Sequence, residues 1–153
     1  MHRLAAALLL MFAALPALAQ PAPLSERMAP FARLVGEWRG SGWMMTPEGQ
    51  RVEFQSHEIV TPRLSGNALL VEGRHFTASQ PDRPVHDAMA MITWDARQSA
   101  WRFRSALATG MGGDFAITPR EGGFTWLMDI PGGRIEYTIE LTDTVWHERG
   151  RRA

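Results

Sequence analysis

The chain has 153 residues, contains no cysteine, and carries 16 basic and 16 acidic side chains, so its formal net charge at pH 7 is zero. This balance argues against nucleic acid or an anionic membrane surface as the main partner. The lack of cysteine excludes a disulfide, a thiolate metal site and a cysteine nucleophile, so packing must stabilise the fold.

The first 19 residues have the pattern of an export signal. Met1-His2-Arg3 is a positively charged start, Leu4 to Leu15 is apolar, and Ala17-Leu18-Ala19 fits an A-x-A cleavage site. The apolar run is shorter than the roughly 20 residues that a membrane span needs. We therefore predict a signal peptide over 1–19, cleaved near Ala19, and a single periplasmic or secreted domain over 20–153 without a membrane span.

A short helix is predicted between Ser25 and Leu34. Ser25 is a suitable N-cap, and Met28, Phe31 and Leu34 recur on one side of the helix. Pro30 keeps the helix short or distorts it. Because its apolar side needs a partner, we expect the helix to cover one end of a sheet.

Nine strand-like runs follow, separated by turn signals rich in glycine and proline. The gaps between them are too short for crossover helices, so the connections must be hairpins and the sheet antiparallel. The predicted strands cover 36–43, 52–60, 68–76, 88–94, 101–106, 115–118, 124–128, 135–141 and 145–148.

The positions of the turns predict which side chains share a face of the sheet. Turns centred over 96–99, at Gly132 and over 142–143 collect the aromatic residues on one face. A sheet with one strongly apolar face must close on itself, because an open sheet would leave that face wet. The predicted cross-strand neighbours are Trp94 with Trp101, Ile92 with Phe103, Trp126 with Tyr137, Met128 with Ile135, and Trp146 with Ile139.

These patterns predict an all-β, antiparallel up-and-down barrel of about nine strands with a short N-terminal helix. A closed barrel of this size has room for a small ligand inside. The preferred hypothesis is therefore a binding protein for a small apolar or aromatic molecule, rather than an enzyme. Aromatic rings supply contact area and methionine adapts to irregular shapes. The predicted lumen-lining residues are Trp94, Trp101, Phe103, Trp126, Met128 and Tyr137.

Two other interpretations remain open. The same side chains would fill the barrel completely in a structural or interaction module. A hydrolase would need a nucleophile with a base in reach, or two carboxylates flanking a cleft. The chain has no Gly-x-Ser-x-Gly, His-Glu-x-x-His or phosphate-loop motif. No catalytic residue is therefore assigned.

A shared metal site for the histidines is not predicted. A turn centred near Leu64 would place His57 opposite Val71, about 13 Å along the strand from His75. That separation is too long for one ion. His86 and Asp87 follow a proline-rich loop and are expected to be a solvated pair.

The stretch around Gly36 carries a family resemblance. Gly36-Glu37-Trp38 after a short helix resembles the Gly-x-Trp signature of the calycin superfamily, the lipocalins and fatty-acid-binding proteins. The fuller string over 34–42, with the runs 60–66, 136–138 and 146–148, resembles an exported bacterial domain family of unknown function whose fold is similar to that of the haem-binding nitrobindins. The resemblance implies a calycin-like barrel with Gly36, Trp38 and Gly40 as its fold signature.

The last residues depart from that family, whose members continue past the Trp-x-Glu run into a closing strand. Here the run is followed by Arg149-Gly150-Arg151-Arg152-Ala153. We therefore expect the closing strand to be missing, which would leave an open barrel edge for a homodimer. The family's signature Trp packs under an Arg of the final strand. Arg149, Arg151 and Arg152 are candidates, although a solvated basic tail is the prediction.

Haem is the one cofactor that the resemblance raises, because nitrobindin-like barrels hold iron through a His near the end of the chain. Only His147 lies in that region. Its register places it with Thr138 and Glu140, on the face opposite Trp146 and Tyr137. We predict no metal and no cofactor, with His147 as the sole haem candidate.

Overall fold

The computed structural model describes residues 23–46 and 48–152. The predicted signal peptide over 1–19 lies outside these residues. None of the helices within them has the length and apolar character that crossing a membrane requires.

Nine antiparallel strands form one sheet in which each strand pairs with its neighbours in chain order. The sheet curls into a nearly closed barrel with an unsealed seam between the first and last strands, which confirms the predicted fold class. Gly122 and Gly132 lie in two of the predicted turns with φ of 70° and 76°, a conformation that favours glycine. The strands are β1 (Gly36–Met45), β2 (Arg51–Arg63), β3 (Ala68–Phe76), β4 (His86–Asp95), β5 (Ala100–Leu107), β6 (Gly112–Arg120), β7 (Gly123–Ile130), β8 (Gly133–Leu141) and β9 (Trp146–Arg152).

The N-terminal helix (Glu26–Leu34) is a 3-10 helix and contains Pro30. With three residues per turn, Met28, Phe31 and Leu34 line up on one side, and each has at most 1% of its surface exposed. The predicted cap is wrong in detail, because the Ser25 side chain makes no capping hydrogen bond.

The helix covers one end of the barrel, as predicted. The Phe31 ring packs edge to face against Trp101 and Phe124, with centroid distances of 6.0 and 5.5 Å. The Trp38 Nε1–H donates to the backbone oxygen of Leu34 at 2.8 Å, so the first strand is tied to the end of the helix. Gly36 lies between them with φ of 142°.

Two hairpin registers agree with the sequence prediction. Trp94 pairs with Trp101 in β4–β5, and Trp126 pairs with Tyr137 in β7–β8. The other members of the predicted pairs in these hairpins, Ile92 with Phe103 and Met128 with Ile135, match as well.

Two other predicted registers are wrong. Trp146 lies opposite Leu141 rather than Ile139, because the last turn is wider than predicted and closes through Thr142 N–H donating to Val145 O. In β2–β3, a short 3-10 turn at Leu64–Gly66 moves the centre of the hairpin, and His57 lies opposite Arg74.

The shifted β2–β3 register changes the histidine geometry. His75 lies opposite Ser56, so His57 and His75 point to opposite faces of the sheet. The two imidazoles are therefore separated because they lie on opposite faces of the sheet. The predicted reason, a long distance along one face, is wrong.

The basic residues at the end of the chain also differ from expectation. Residues 149–152 belong to β9 and pair with β8, so their backbone is not a solvated tail. Within the described residues, guanidinium groups lie over indole rings at Arg27 on Trp94 and Arg51 on Trp43. The arginine contact that the resemblance implied for Trp38 is not among them.

Candidate functional site

The lumen has two halves of different chemistry. In the half next to the N-terminal helix, apolar side chains of the helix and the strands form one buried cluster. In the other half, which we call the open half, the inward-facing positions carry glycine, polar and aromatic residues. The inward positions of the open half include Gly40, Gly42, Ser56, Glu58, Gly73, His75, His86, Gly113, Phe115, Tyr137, Glu148 and Gly150.

Four inward rings form a continuous surface that we call the aromatic wall, made of Phe103, Phe115, Trp126 and Tyr137. Trp126 and Tyr137 stack at 4.1 Å with their planes 5° apart. Phe103 and Phe115 lie 5.3 and 5.0 Å from Trp126. Three of these residues were predicted to line the lumen, and the structure brings them together.

The other predicted lumen residues lie elsewhere on the inner face. The Trp101 Nε1–H donates to the backbone oxygen of Arg27 at 3.1 Å, and the Trp94 ring packs on Trp101 at 4.7 Å under the Arg27 guanidinium. These two indoles therefore contact the helix rather than the open half. Met128 lies opposite Ile135 towards the open end, and its side chain is partly buried.

A polar cluster that the sequence reasoning missed lies in the open half. The Ser56 hydroxyl and the His75 Nε2–H both donate to Glu58 Oε1, at 2.9 and 3.0 Å. His75 stacks flat on Phe54 at 4.2 Å, and its other face meets His86 at 4.8 Å. The His75 Nδ1 atom is buried and has no partner among the described residues.

The Glu58 carboxylate has a fixed position because its cross-strand neighbour is Gly73, which has no side chain. A Cβ atom at Gly73 would collide with the Glu58 carboxyl oxygens. The missing side chain thus lets the carboxylate lie close to the β3 backbone, within reach of His75.

Glu148 is the second inward carboxylate. Burial, and then the Glu58 carboxylate nearby, raise its pKa to about 7, although His75 opposes the shift. The side chain is surrounded by protein atoms, yet the residue remains accessible to water, as expected for a group that faces a hollow. Burial and the Glu148 charge also raise the pKa of Tyr137 above its ordinary value.

His86 borders the same cluster. Burial, and then the neighbouring His75, lower the pKa of His86 below its ordinary value of 6.5. It is therefore neutral at pH 7. The expectation of a solvated His86–Asp87 pair is wrong for the histidine, since β4 begins at His86 and directs its ring onto His75.

Open space adjoins these carboxylates. A Cβ atom built on Gly40 would have no heavy atom within 4 Å, whereas one on Gly42 would meet the Phe54 ring at 2.6 Å. The Trp38 and Trp146 rings contact each other across the seam. Gly40 comes two residues after Trp38, and Glu148 comes two residues after Trp146. Gly40 and Glu148 therefore lie at the same level of the lumen.

His147 lies outside this region. It pairs with Glu140, and its Nδ1 is 3.5 Å from Glu140 Oε2 on the outer face of β8 and β9. The predicted orientation of His147 is confirmed. Among the described residues no group of three or more His, Asp or Glu side chains is arranged to hold a metal ion.

The outer face also carries two shallow grooves. One is bordered by His57, Arg74 and Asp87, and the other by Asp114, Thr125 and Asp129. Both are open to solvent and lined largely by outward side chains. The lumen is the better candidate site, because apolar rings and a few convergent polar groups face it.

The position of the β2–β3 turn is the feature from which the polar cluster could have been predicted. Had the turn been centred between Ser65 and Gly66, the alternation would have placed Ser56, Glu58 and His75 on the inner face.

The architecture is compatible with a calycin-like fold. Comparison of the chain with known protein families and with curated proteins found no match.

Proposed function

We propose that this protein is an exported barrel that binds a small apolar or aromatic molecule in the open half of its lumen, and that it acts as a binding protein rather than an enzyme. Its place would be the periplasm or the medium. The pattern of residues 1–19 supports export. The strings around Gly36 and Trp38 support membership of the exported bacterial family that they resemble.

The observation that carries the proposal is the contrast between the two halves of the lumen. A purely structural barrel would continue its apolar packing through both halves, since interiors are close-packed. Here packing is dense beside Phe31, but the inward position at Gly40 faces empty space. Polar groups such as Glu58 and Glu148 also face inward, where a structural core would gain nothing from them.

The aromatic wall supplies the apolar contact surface for such a ligand. Trp126 and Tyr137 present flat rings, and aromatic side chains bury large areas at little cost in conformational entropy. A flat hydrocarbon body of one or two rings would suit this surface. The polar cluster would then fix the orientation of the ligand.

The unsealed seam favours a second candidate, an interaction module that pairs with another copy. The outer edges of β1 and β9 are not joined in the sheet. Exposed strand edges accept additional strands. Sedimentation at several concentrations tests this: a concentration-dependent dimer supports it, and a monomer at all concentrations contradicts it.

Intrinsic tryptophan fluorescence tests the main proposal, because Trp126 belongs to the aromatic wall. We would titrate the protein with lipids, haem and aromatic acids. A saturable change with at least one class supports ligand binding. No change with any class would favour a filled core.

Mass spectrometry of the exported protein tests the signal peptide, with an N-terminus at Gln20 as the expected result.

A further inference from the structure

We infer that the lumen is built for ligands that carry a protonated amine, with the ammonium group between Glu58 and Glu148 and the hydrocarbon body on the aromatic wall. This inference rests on the proposed function and names the class of its ligand. It follows from the two carboxylates that face the open half and from the lack of an inward-facing cation beside them among the described residues.

Glu148 lacks a partner. It makes no hydrogen bond or ion pair with any residue that the structure describes, whereas other carboxylates in the barrel, such as Glu58 and Asp114, are engaged. Glu148 faces the lumen and is accessible to water, so its carboxylate is an unpaired acceptor that a ligand can reach. A ligand that donates hydrogen bonds and brings positive charge would pair with it.

Glu58 supplies a second carboxylate in a fixed position. Ser56 and His75 hold one of its oxygens, Oε1, and the Gly73 backbone lies beneath it. The two donors leave Oε2 without a hydrogen bond to any described residue. An ammonium group has three donors, enough to bridge this free oxygen and the Glu148 carboxylate.

Within residues 23–46 and 48–152, no arginine pairs with the Glu148 carboxylate. All basic residues of the chain are arginines, and the alternation of the described strands directs nearly all of them to the outer face. Arg152 has inward parity, but its Nη2 donates to the Gly132 backbone oxygen at the rim, 3.2 Å away. The positive charge must therefore come from the ligand.

The titratable groups that face Glu148 are Glu58, His75, His86 and Tyr137. His75 is committed to Glu58, and His86 is neutral at pH 7. Tyr137, whose pKa is raised, stays protonated. A cation at this place also lies near the Tyr137–Trp126 stack, and aromatic faces attract cations.

Three probes with one hydrocarbon body test the inference: 2-phenylethylamine, 2-phenylethanol and 3-phenylpropanoate. Their affinities for the full mature chain would be measured by calorimetry at pH 8, where an alkyl ammonium keeps its proton. We expect the amine to bind at least about tenfold more tightly than the alcohol, because charge-assisted hydrogen bonds are the stronger ones.

Glu148→Gln should lower the affinity for the amine about tenfold and leave the affinity for the alcohol nearly unchanged. Glu136→Gln is the matched control, because Glu136 lies beside Tyr137 on β8 and points outward. The affinity of the wild-type protein for the amine should rise between pH 4.5 and pH 8 as Glu148 loses its proton. It should stay flat in Glu148→Gln.

Equal affinities for amine and alcohol, or an amine preference that survives Glu148→Gln, would overturn the inference and leave the proposed function intact. Absence of binding by all three probes would also overturn it. Failure of the proposed function is recognised separately, by the lack of any fluorescence response to lipids, haem, aromatic acids and the three probes. Circular dichroism of each variant establishes that it is folded.

Discussion

The indole rings of Trp38 on β1 and Trp146 on β9 meet edge to face, with centroids 6.0 Å apart, across the seam where the two strands do not pair. Nine strands in up-and-down order leave the first and last strands running in the same direction. This ring contact therefore bridges the seam at one level, where no hydrogen-bonded ladder joins the two strands. Trp146 contacts the Trp38 ring, on which the family resemblance implied an arginine.

A double-mutant cycle on this pair tests the closure of the seam. Trp38→Phe, Trp146→Phe and the double variant should show a coupling of about 0.5–1.5 kcal/mol in the free energy of unfolding, the usual range for aromatic pairs. Urea unfolding measures it. Trp43→Phe is the control, because Trp43 is 55% exposed on the outer face of β1. A coupling between Trp38 and Trp146 no larger than that between Trp43 and Trp146 would exclude a role in closure.

The N-terminal helix should contribute strongly to stability through Met28. Its side chain is 1% exposed, so Met28→Ala should lower the free energy of unfolding by about 2–5 kcal/mol. Met111 is 66% exposed, so Met111→Ala should change it by no more than about 0.5 kcal/mol. Similar losses in the two variants would mean that the helix is not the cover of the barrel.

Glu148 should make stability depend on pH. Its pKa in the folded state, about 7, lies above the ordinary 4.5, so the folded protein holds a proton that the unfolded chain releases. Stability is therefore lost as the pH rises from about 4.5 to about 7. The full shift corresponds to about 3 kcal/mol, and since water reaches the lumen we expect about 1 kcal/mol.

Glu148→Gln removes this charge. Its free energy of unfolding relative to wild type should rise by about 1 kcal/mol between pH 4 and pH 8. Urea unfolding at the two pH values measures the difference, with Glu136→Gln as the outward-facing control. An identical pH dependence in wild type and Glu148→Gln would show that Glu148 titrates as an ordinary exposed carboxyl group.

The fold was largely predictable because short turns constrain their neighbours. Between Trp94 and Trp101 the turn is compact, so its predicted centre leads to the observed register. The β2–β3 connection has two consecutive non-glycine residues with positive φ, Leu64 at 50° and Ser65 at 53°, whereas the β4–β5 turn has one, Ser99 at 49°. Non-glycine residues seldom adopt this conformation, and the sequence gives no signal for it.

The candidate site was predicted only in part for the same reason. Strong aromatic alternation identified Trp126 and Tyr137, whose hairpin has a simple turn. The predicted register of β2 and β3 was shifted by three residues. An odd shift places His75 on the wrong face of the sheet relative to His57, so the polar cluster was not predicted. Glu148 lies in the last predicted strand, 145–148, two residues from Trp146 and therefore on the same face, but no role was assigned to it.

Binding of N-phenyl-1-naphthylamine, a neutral dye whose fluorescence rises in apolar sites, tests the central claim most directly. Gly40→Leu would place a side chain in the open space of the lumen, and Ser41→Leu adds the same side chain on the outer face of the same strand. We predict saturable binding of one dye per chain to wild type and Ser41→Leu, and its loss in Gly40→Leu. Equal binding to both variants, or no saturable binding to the wild-type protein, would contradict a ligand site in the lumen.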